Sequence, residues 1–86
     1  QLSFADAKLY ALQAKTYAAL GRRLQQHRAQ AEAYVLQGQL GAAVEQLQFA
    51  QQSTDGNFYE MSAVDARLRE LRKLQAEEAK QKRAGW

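Results

Sequence analysis

The feature that most constrains this chain is the placement of its glycines in a sequence that contains no proline. Gly21, Gly38 and Gly56 divide the 86 residues into segments of ordinary helix length, and Gly41 follows shortly after the second of them. Glycine often ends a helix because it adopts a left-handed backbone conformation at no steric cost. The spacing therefore predicts four helices in series, joined by short turns.

Composition and periodicity support this prediction. Alanine, leucine and glutamine make up nearly half of the chain and all three tolerate or favour helix, whereas isoleucine is absent. Apolar side chains recur every three or four residues between the glycines. We predict an all-α fold with helices at about 6–20, 24–37, 41–53 and 58–76, forming one domain over 1–86.

The last segment is the least apolar. Residues 76–83 contain no large apolar side chain, so we expect 77–86 to form a frayed, solvated tail. Any helix that continues toward Lys82 would be supported by three oppositely charged (i, i+4) pairs. These pairs are Asp65/Arg69, Lys73/Glu77 and Glu78/Lys82.

The same composition argues against several chemistries. Without cysteine there is no thiolate nucleophile or cysteine-based zinc site, and the single histidine, His27, has no second imidazole to act with. We predict no catalytic residue, no metal site and no cofactor. No apolar run approaches the roughly 20 residues that span a bilayer. The chain begins at Gln1 without a methionine or a signal sequence, which indicates a segment of a longer protein.

The net charge of +3 raises the question of nucleic acid. Basic residues between 65 and 73 alternate with Asp65 and Glu70, a pattern more typical of a solvated helix face than of a phosphate track. We therefore predict no nucleic-acid partner. A basic helical nucleic-acid-binding domain stays a third hypothesis, and steep salt dependence would identify it.

An internal half-repeat points to a repeat architecture. Gln13-Ala14-x-x-Tyr17-x-x-x-Gly21 recurs 17 residues later as Gln30-Ala31-x-x-Tyr34-x-x-x-Gly38. Two such units span 34 residues, the length of a tetratricopeptide repeat of two helices. Residues 24–57 keep the spacing of that repeat throughout. The structural repeat positions are Ala14, Tyr17, Gly21, Ala31, Tyr34, Gly38, Ala43, Leu47 and Ala50.

This pattern resembles the tetratricopeptide repeat, although the repeat's first aromatic residue, its leucine and its final proline are replaced here. The resemblance implies a short right-handed array of antiparallel helices with a C-terminal closing helix. Whether the first or the second helix opens a repeat stays undecided. Exposed array ends can also associate with one another, so the sequence leaves the oligomeric state open.

A narrower resemblance covers about residues 8–76. The runs Leu9-Tyr10-x-Leu12-Gln13-Ala14, Gly38-x-Leu40-x-x-Ala43-Val44-Glu45-Gln46-Leu47 and Asp65-Ala66-Arg67-Leu68 resemble the C-terminal repeat region of periplasmic HExxH zinc metallopeptidases. This is the family of the β-barrel assembly-enhancing proteases. The catalytic motif of that family is absent from this chain, so no catalytic or metal-binding role carries over.

The resemblance implies a non-catalytic module that binds protein or peptide segments in the periplasm, such as outer-membrane β-barrel clients or their assembly machinery. The alternative is a structural domain that packs on its own protease domain and restricts access to it. In the register of 24–57, the positions that would face a partner are Gln25, Arg28, Glu32 and Val35, and the other register adds Lys15.

Two further groups of residues have open roles at this level. Phe58, Tyr59 and Met61 are expected to cover the end of the third helix, with an exposed anchor for a partner as the alternative. Asp65 and Arg67 lie two positions apart and so point to different sides of a helix. We expect Asp65 to support its own helix or to bridge to an arginine of a neighbouring one.

Overall fold

The computed structural model describes residues 4–85 and contains four α-helices. They are α1 (Phe4–Ala19), α2 (Arg23–Leu36), α3 (Leu40–Gln52) and α4 (Phe58–Ala84), and no strand occurs in this range. The predicted all-α class is confirmed. Gln1 to Ser3 and Trp86, which the predicted domain of 1–86 included, lie outside the described residues. None of the described helices combines the length and the apolarity needed to cross a lipid bilayer.

Two of the turns repeat the same local structure. Gly21 and Gly38 have backbone φ angles of 71° and 74°, the left-handed region in which other residues are strained. After Gly21, the N–H of Arg22 donates to the carbonyl of Tyr17 at 2.9 Å, and after Gly38 the N–H of Gln39 donates to Tyr34 at 2.9 Å. These bonds close a Schellman motif at each helix end. The 17-residue half-repeat therefore encodes a repeated helix stop.

The turn between α3 and α4 begins two helices at once. At α4, Asn57 accepts a hydrogen bond from the N–H of Glu60, and Glu60 accepts one from the N–H of Asn57, which forms a capping box. At α2, no side chain of the preceding turn caps the helix. Instead Asp55 reaches across and accepts hydrogen bonds from the N–H groups of Arg23 and Leu24, at 2.6 and 3.1 Å.

Gly56 lets this turn approach α2 closely. A Cβ atom placed on Gly56 would fall inside the contact distance of the Leu24 side chain, which is itself buried. The backbone hydrogen bond from Leu24, with that from Arg23, lowers the pKa of the Asp55 carboxyl, because these bonds favour its charged form more than desolvation disfavours it. Asp55 and Gly56 thus hold the start of α2 from a point more than thirty residues away.

The core lies between α2, α3 and α4. Leu24, Leu47, Val64 and Leu71 are the largest fully buried side chains. The predicted repeat alanines of these helices, Ala31, Ala43 and Ala50, belong to the same cluster, and Tyr34 packs against it. Small side chains at these points let the helix backbones approach one another, while the leucines fill the remaining space.

Helix α1 is held differently. Among the described helices it contacts only α2, and the buried residues among 5–19 are Ala7 and Ala14. Leu9, Leu12 and Leu20 are 58%, 60% and 68% exposed. At 100° per residue Leu9 and Leu12 share one face of α1, opposite the buried alanines, and Leu20 directly follows the end of the helix. The fully buried side chains among residues 5–19 are therefore alanines, whereas Leu9 and Leu12 lie in solvent.

Helix α4 extends further than expected. It continues to Ala84, so the boundary predicted near 76 is wrong for the backbone. Residues 76–84 are alanine, glutamate, lysine, glutamine and arginine, all strong helix formers, and Lys82 and Arg83 in the last turn complement the helix dipole. Their side chains are all exposed, as predicted for this segment.

Candidate partner-binding groove

A groove of about 610 Å³ runs between α1, α2 and α4. It exists because α1 and α4 each pack against α2 but not against each other within the described chain. We call it the central groove. Its lining comprises Tyr10, Gln13 and Tyr17 of α1, Gln25, Arg28, Ala29 and Glu32 of α2, Leu47 of α3, and Ala63, Ala66, Arg67 and Glu70 of α4.

Small and aromatic side chains shape this groove. Ala29, Ala63 and Ala66 keep the walls on α2 and α4 low, while Tyr10 and Tyr17 stand on the α1 side. Both tyrosines are half-buried, and within residues 4–85 their hydroxyl groups have no hydrogen-bond partner. The groove therefore offers apolar ring surface together with two available hydroxyl groups.

One ion pair ties α2 to α4 across the groove. The Arg67 guanidinium donates through Nε and Nη2 to the two carboxylate oxygens of Glu32, at 2.8 and 2.9 Å. Glu70 lies on the same guanidinium at 3.6 Å. These hydrogen bonds raise the pKa of Arg67 above its ordinary value. Since Arg67 is engaged by two carboxylates, it has little capacity left to bind a partner's acid.

Arg28 is the other arginine of the groove, and its charge is not compensated. Its Nη1 donates to the side-chain oxygen of Gln25 at 3.2 Å, and no carboxylate of residues 4–85 lies within ion-pair distance of it. Gln25 is in turn held by Glu60, which accepts from its amide nitrogen at 2.5 Å. Arg28 is therefore oriented by a neutral amide while most of its N–H donors stay available.

The structure separates the five predicted partner-facing residues. Gln25, Arg28 and Glu32 do line the central groove. Val35 does not, because it packs against the core of α2, α3 and α4. Lys15 is exposed on α1 but lies outside the groove lining. Glu32, which the register predicted to face a partner, is instead paired with Arg67.

Sequence reasoning missed the parts of the groove that come from α1 and α4. Gln13 and Tyr17 belong to the half-repeat and Tyr10 to the narrower resemblance, but none of them was predicted to face a partner, and Arg67 had no assigned partner. Asp65 bonds neither its own helix nor an arginine, because its Oδ1 accepts from the amide of Gln51 at 2.9 Å. The regular spacing of charges along α4 gave no signal for these contacts between helices.

The aromatic residues at the start of α4 also differ from the prediction. Met61 packs against the core, but Phe58 and Tyr59 are 79% and 83% exposed. They do not cover the end of α3. Their rings contact each other edge to face, with centroids 6.0 Å apart.

His27 lies outside the central groove. Its Nδ1 is 2.8 Å from the side-chain oxygen of Gln46, and its ring is 5.5 Å from that of Phe49. It lines a separate shallow depression with Arg23, Phe49 and Thr54, among others. In the described range no three acidic or histidine side chains come together in a way that could hold a metal ion.

Comparison of the chain with protein-family models, with curated proteins and with solved structures finds no match. The resemblances described above therefore stay predictions, and the groove itself carries the functional argument.

Proposed function

We propose that this chain is a protein-interaction module that binds a segment of a partner polypeptide in the central groove. The observation that carries the proposal is the state of the two groove arginines. The charge of Arg67 is compensated by Glu32 and Glu70, whereas Arg28 faces the groove with most of its donors unused. An uncompensated arginine held in place beside half-buried tyrosines is suited to bind an acidic or carbonyl-rich segment.

The partner chemistry follows from these groups. Arg28 can hold a carboxylate with two parallel hydrogen bonds, and the amide of Gln13 and the hydroxyl groups of Tyr10 and Tyr17 can bind backbone groups. A groove this short buries less surface than a standard interface of about 1,600 Å². We therefore expect micromolar affinity for a short extended or helical segment.

The tetratricopeptide architecture is part of the proposal. Helices α2 and α4 contact each other, whereas α1 and α3 do not within the described residues. This arrangement supports the register in which α2 and α3 form one repeat and α4 opens the next. In that register α4 occupies the first-helix position of the next repeat and closes the array. We further propose that the parent is a periplasmic metallopeptidase whose clients or assembly partners the groove receives, which rests on the family resemblance.

A second candidate function is supported by α1. Its two exposed leucines, Leu9 and Leu12, form an apolar face that no described helix covers. If the module packs on a protease domain of its own parent protein, this face is suited to that contact. The two functions use different surfaces, so Leu12→Ser should abolish the domain contact and leave binding in the groove unchanged.

The experiment is an amide-shift titration of the labelled chain with an extended peptide of ten residues that carries several aspartates and a free C-terminal carboxylate. We expect the shifts to centre on the groove faces of α1, α2 and α4. Arg28→Ala should weaken binding by tenfold or more, because a hydrogen bond to a charged group contributes about 1.5–3 kcal/mol. A peptide with asparagine in place of aspartate and an amidated end should bind weakly.

The matched control is Arg23→Ala. Arg23 lies on the same helix, is exposed and does not line the central groove, so its loss lowers the net charge equally. Equal weakening by both variants would mean that the peptide responds to net charge alone. Shifts confined to the exposed face of α4, or unchanged affinity in Arg28→Ala, would rule out the groove.

A further inference from the structure

One face of α4 carries five cations and extends well beyond the central groove. At 100° per residue, these side chains fall within an arc of about 100° and cover about 21 Å of the helix axis. All of them are exposed. We call this face the basic stripe. It consists of Arg69, Arg72, Lys73, Lys80 and Arg83.

The basic stripe has no internal compensation. Neither its five cations nor Lys82 lies within ion-pair distance of a carboxylate in residues 4–85, so the (i, i+4) pairs predicted from the sequence do not form. Glu70, Glu77 and Glu78 lie further round the helix, toward the groove side. Asp65 is the acid on the stripe's own face, and its Oδ1 accepts from Gln51. Positive and negative side chains that alternate along the sequence therefore lie on different faces of the helix.

The same face begins with an exposed aromatic residue. Phe58 falls within the arc of the basic stripe and Tyr59 lies next to it, and both are more exposed than any other large apolar side chain described. The packing of the described residues does not require large aromatic side chains at these two positions. An exposed phenyl ring in line with five uncompensated cations indicates a surface that accepts both apolar and anionic groups.

We propose that this face of α4 binds the surface of an anionic lipid bilayer. Lysine and arginine are attracted to anionic headgroups, and aromatic side chains favour the boundary between headgroups and acyl chains. The face lies along one continuous helix, so Phe58 and the stripe can meet a bilayer surface together. The binding is peripheral.

Nucleic acid fits the arrangement less well. Proteins that bind single strands place aromatic rings among their cations so that bases stack while phosphates are bound. Here the aromatic pair precedes the first cation of the stripe by about 16 Å along the helix. Stacked duplex bases would leave the exposed ring of Phe58 without a partner.

The test is co-sedimentation of the full chain with vesicles of 30% phosphatidylglycerol in phosphatidylcholine, compared with pure phosphatidylcholine. We expect binding to the anionic vesicles that falls steeply as NaCl rises from about 0.1 to 0.5 M, and none to the neutral ones. Each cation near the surface contributes about fivefold in affinity. The triple variant Arg69→Gln/Arg72→Gln/Lys73→Gln should therefore bind about 100-fold more weakly.

Two matched controls isolate the face. Lys8→Gln/Lys15→Gln/Arg23→Gln removes the same net charge from exposed positions outside α4 and should bind within a few-fold of wild type. Phe58→Ser/Tyr59→Ser should weaken binding, whereas Leu9→Ser/Leu12→Ser on α1 should not. All of these side chains are exposed, and circular dichroism verifies that each variant is folded.

Several outcomes would overturn the proposal. Equal binding to neutral vesicles, equal loss in the two charge variants, or salt-independent binding would each remove the basic stripe as the cause. Tighter binding to a 20-nucleotide DNA than to vesicles at equal anion concentration, lost in the same α4 variant, would assign the face to nucleic acid instead. Arg28→Ala should bind vesicles as wild type does, which keeps this result separate from the groove.

Discussion

The replacement of Ala43 by leucine tests how rigidly α2, α3 and α4 are packed. Ala43 lies in α3 with no exposed surface and belongs to the cluster that contains Leu47 and Val64. Leucine adds three carbon atoms at this point. If the neighbouring helices could separate without cost, burying these carbons would stabilise the fold by about 2 kcal/mol.

We expect the opposite sign. Overpacking a close-packed core typically costs about 1–3 kcal/mol because side chains leave their preferred rotamers and backbones shift. For a domain of this size, a loss of that magnitude lowers the melting temperature by roughly 5–20 °C. Urea unfolding followed by circular dichroism at 222 nm, together with a thermal scan, measures both quantities for Ala43→Leu.

The control is Ala76→Leu, the same substitution at an exposed position of α4. It should change the free energy of unfolding by less than about 0.5 kcal/mol. A comparably small change for Ala43→Leu would refute the reasoning, because it would show that the contact at Ala43 can open and that the repeat register is wrong.

Three further outcomes follow from the α3–α4 turn and the end of α4. Gly56→Ala should lower the free energy of unfolding by about 1–3 kcal/mol in urea, because the added Cβ meets the buried Leu24 side chain; a neutral result would mean that Leu24 can move aside. The pKa of Asp55 is lowered in the folded state, so its stabilising contribution is present above the ordinary value of 3.8 and is lost as the pH falls through the lowered value. Asp55→Asn should therefore flatten the dependence of stability on pH between about 5 and 2, and an unchanged slope would exclude Asp55 as its source. Deletion of residues 80–86 should leave the urea midpoint nearly unchanged, because the described side chains there are exposed; a large loss would show that this segment packs on the fold.

The helix stops were predictable because they depend on local chemistry. Gly21 and Gly38 end their helices in the predicted left-handed conformation, and the half-repeat places a tyrosine carbonyl at the same position before each. At the fourth helix, the cluster Ser53 to Asn57 contained several residues able to cap, and Asn57 takes that role because Glu60 follows three positions later. Each of these features is determined within about six residues of sequence.

The groove was predictable only in part. The repeat register placed Gln25, Arg28 and Glu32 on one helix face, and all three line it. The register gave no information on how far α1 and α4 stand apart across α2, and that distance decides whether Tyr10 and Arg67 belong to the same site. Spacing along one helix shows which residues share a face, but the crossing of helices decides what faces them.

The charges on α4 show the same limit. Spacing at (i, i+4) makes an ion pair available, but such pairs at an exposed site contribute only about 0.3–0.5 kcal/mol. Arg67 instead engages Glu32 of α2, where two parallel hydrogen bonds and partial burial give a stronger interaction. An interpretation of the sequence that considers only neighbours along one helix assigns such residues to ion pairs within that helix.

The alanine contact of α1 has a consequence for how this protein opens. Because the fully buried side chains among residues 5–19 are Ala7 and Ala14 rather than leucines, detaching α1 should expose less apolar surface than opening the core of α2, α3 and α4. The rest of the fold is fastened differently, since Asp55 holds the start of α2 and Glu32 of α2 holds α4. The protein is therefore expected to comprise two cooperative units in hydrogen exchange, with amides of α1 exchanging through a partial opening and those of α2 to α4 exchanging through global unfolding.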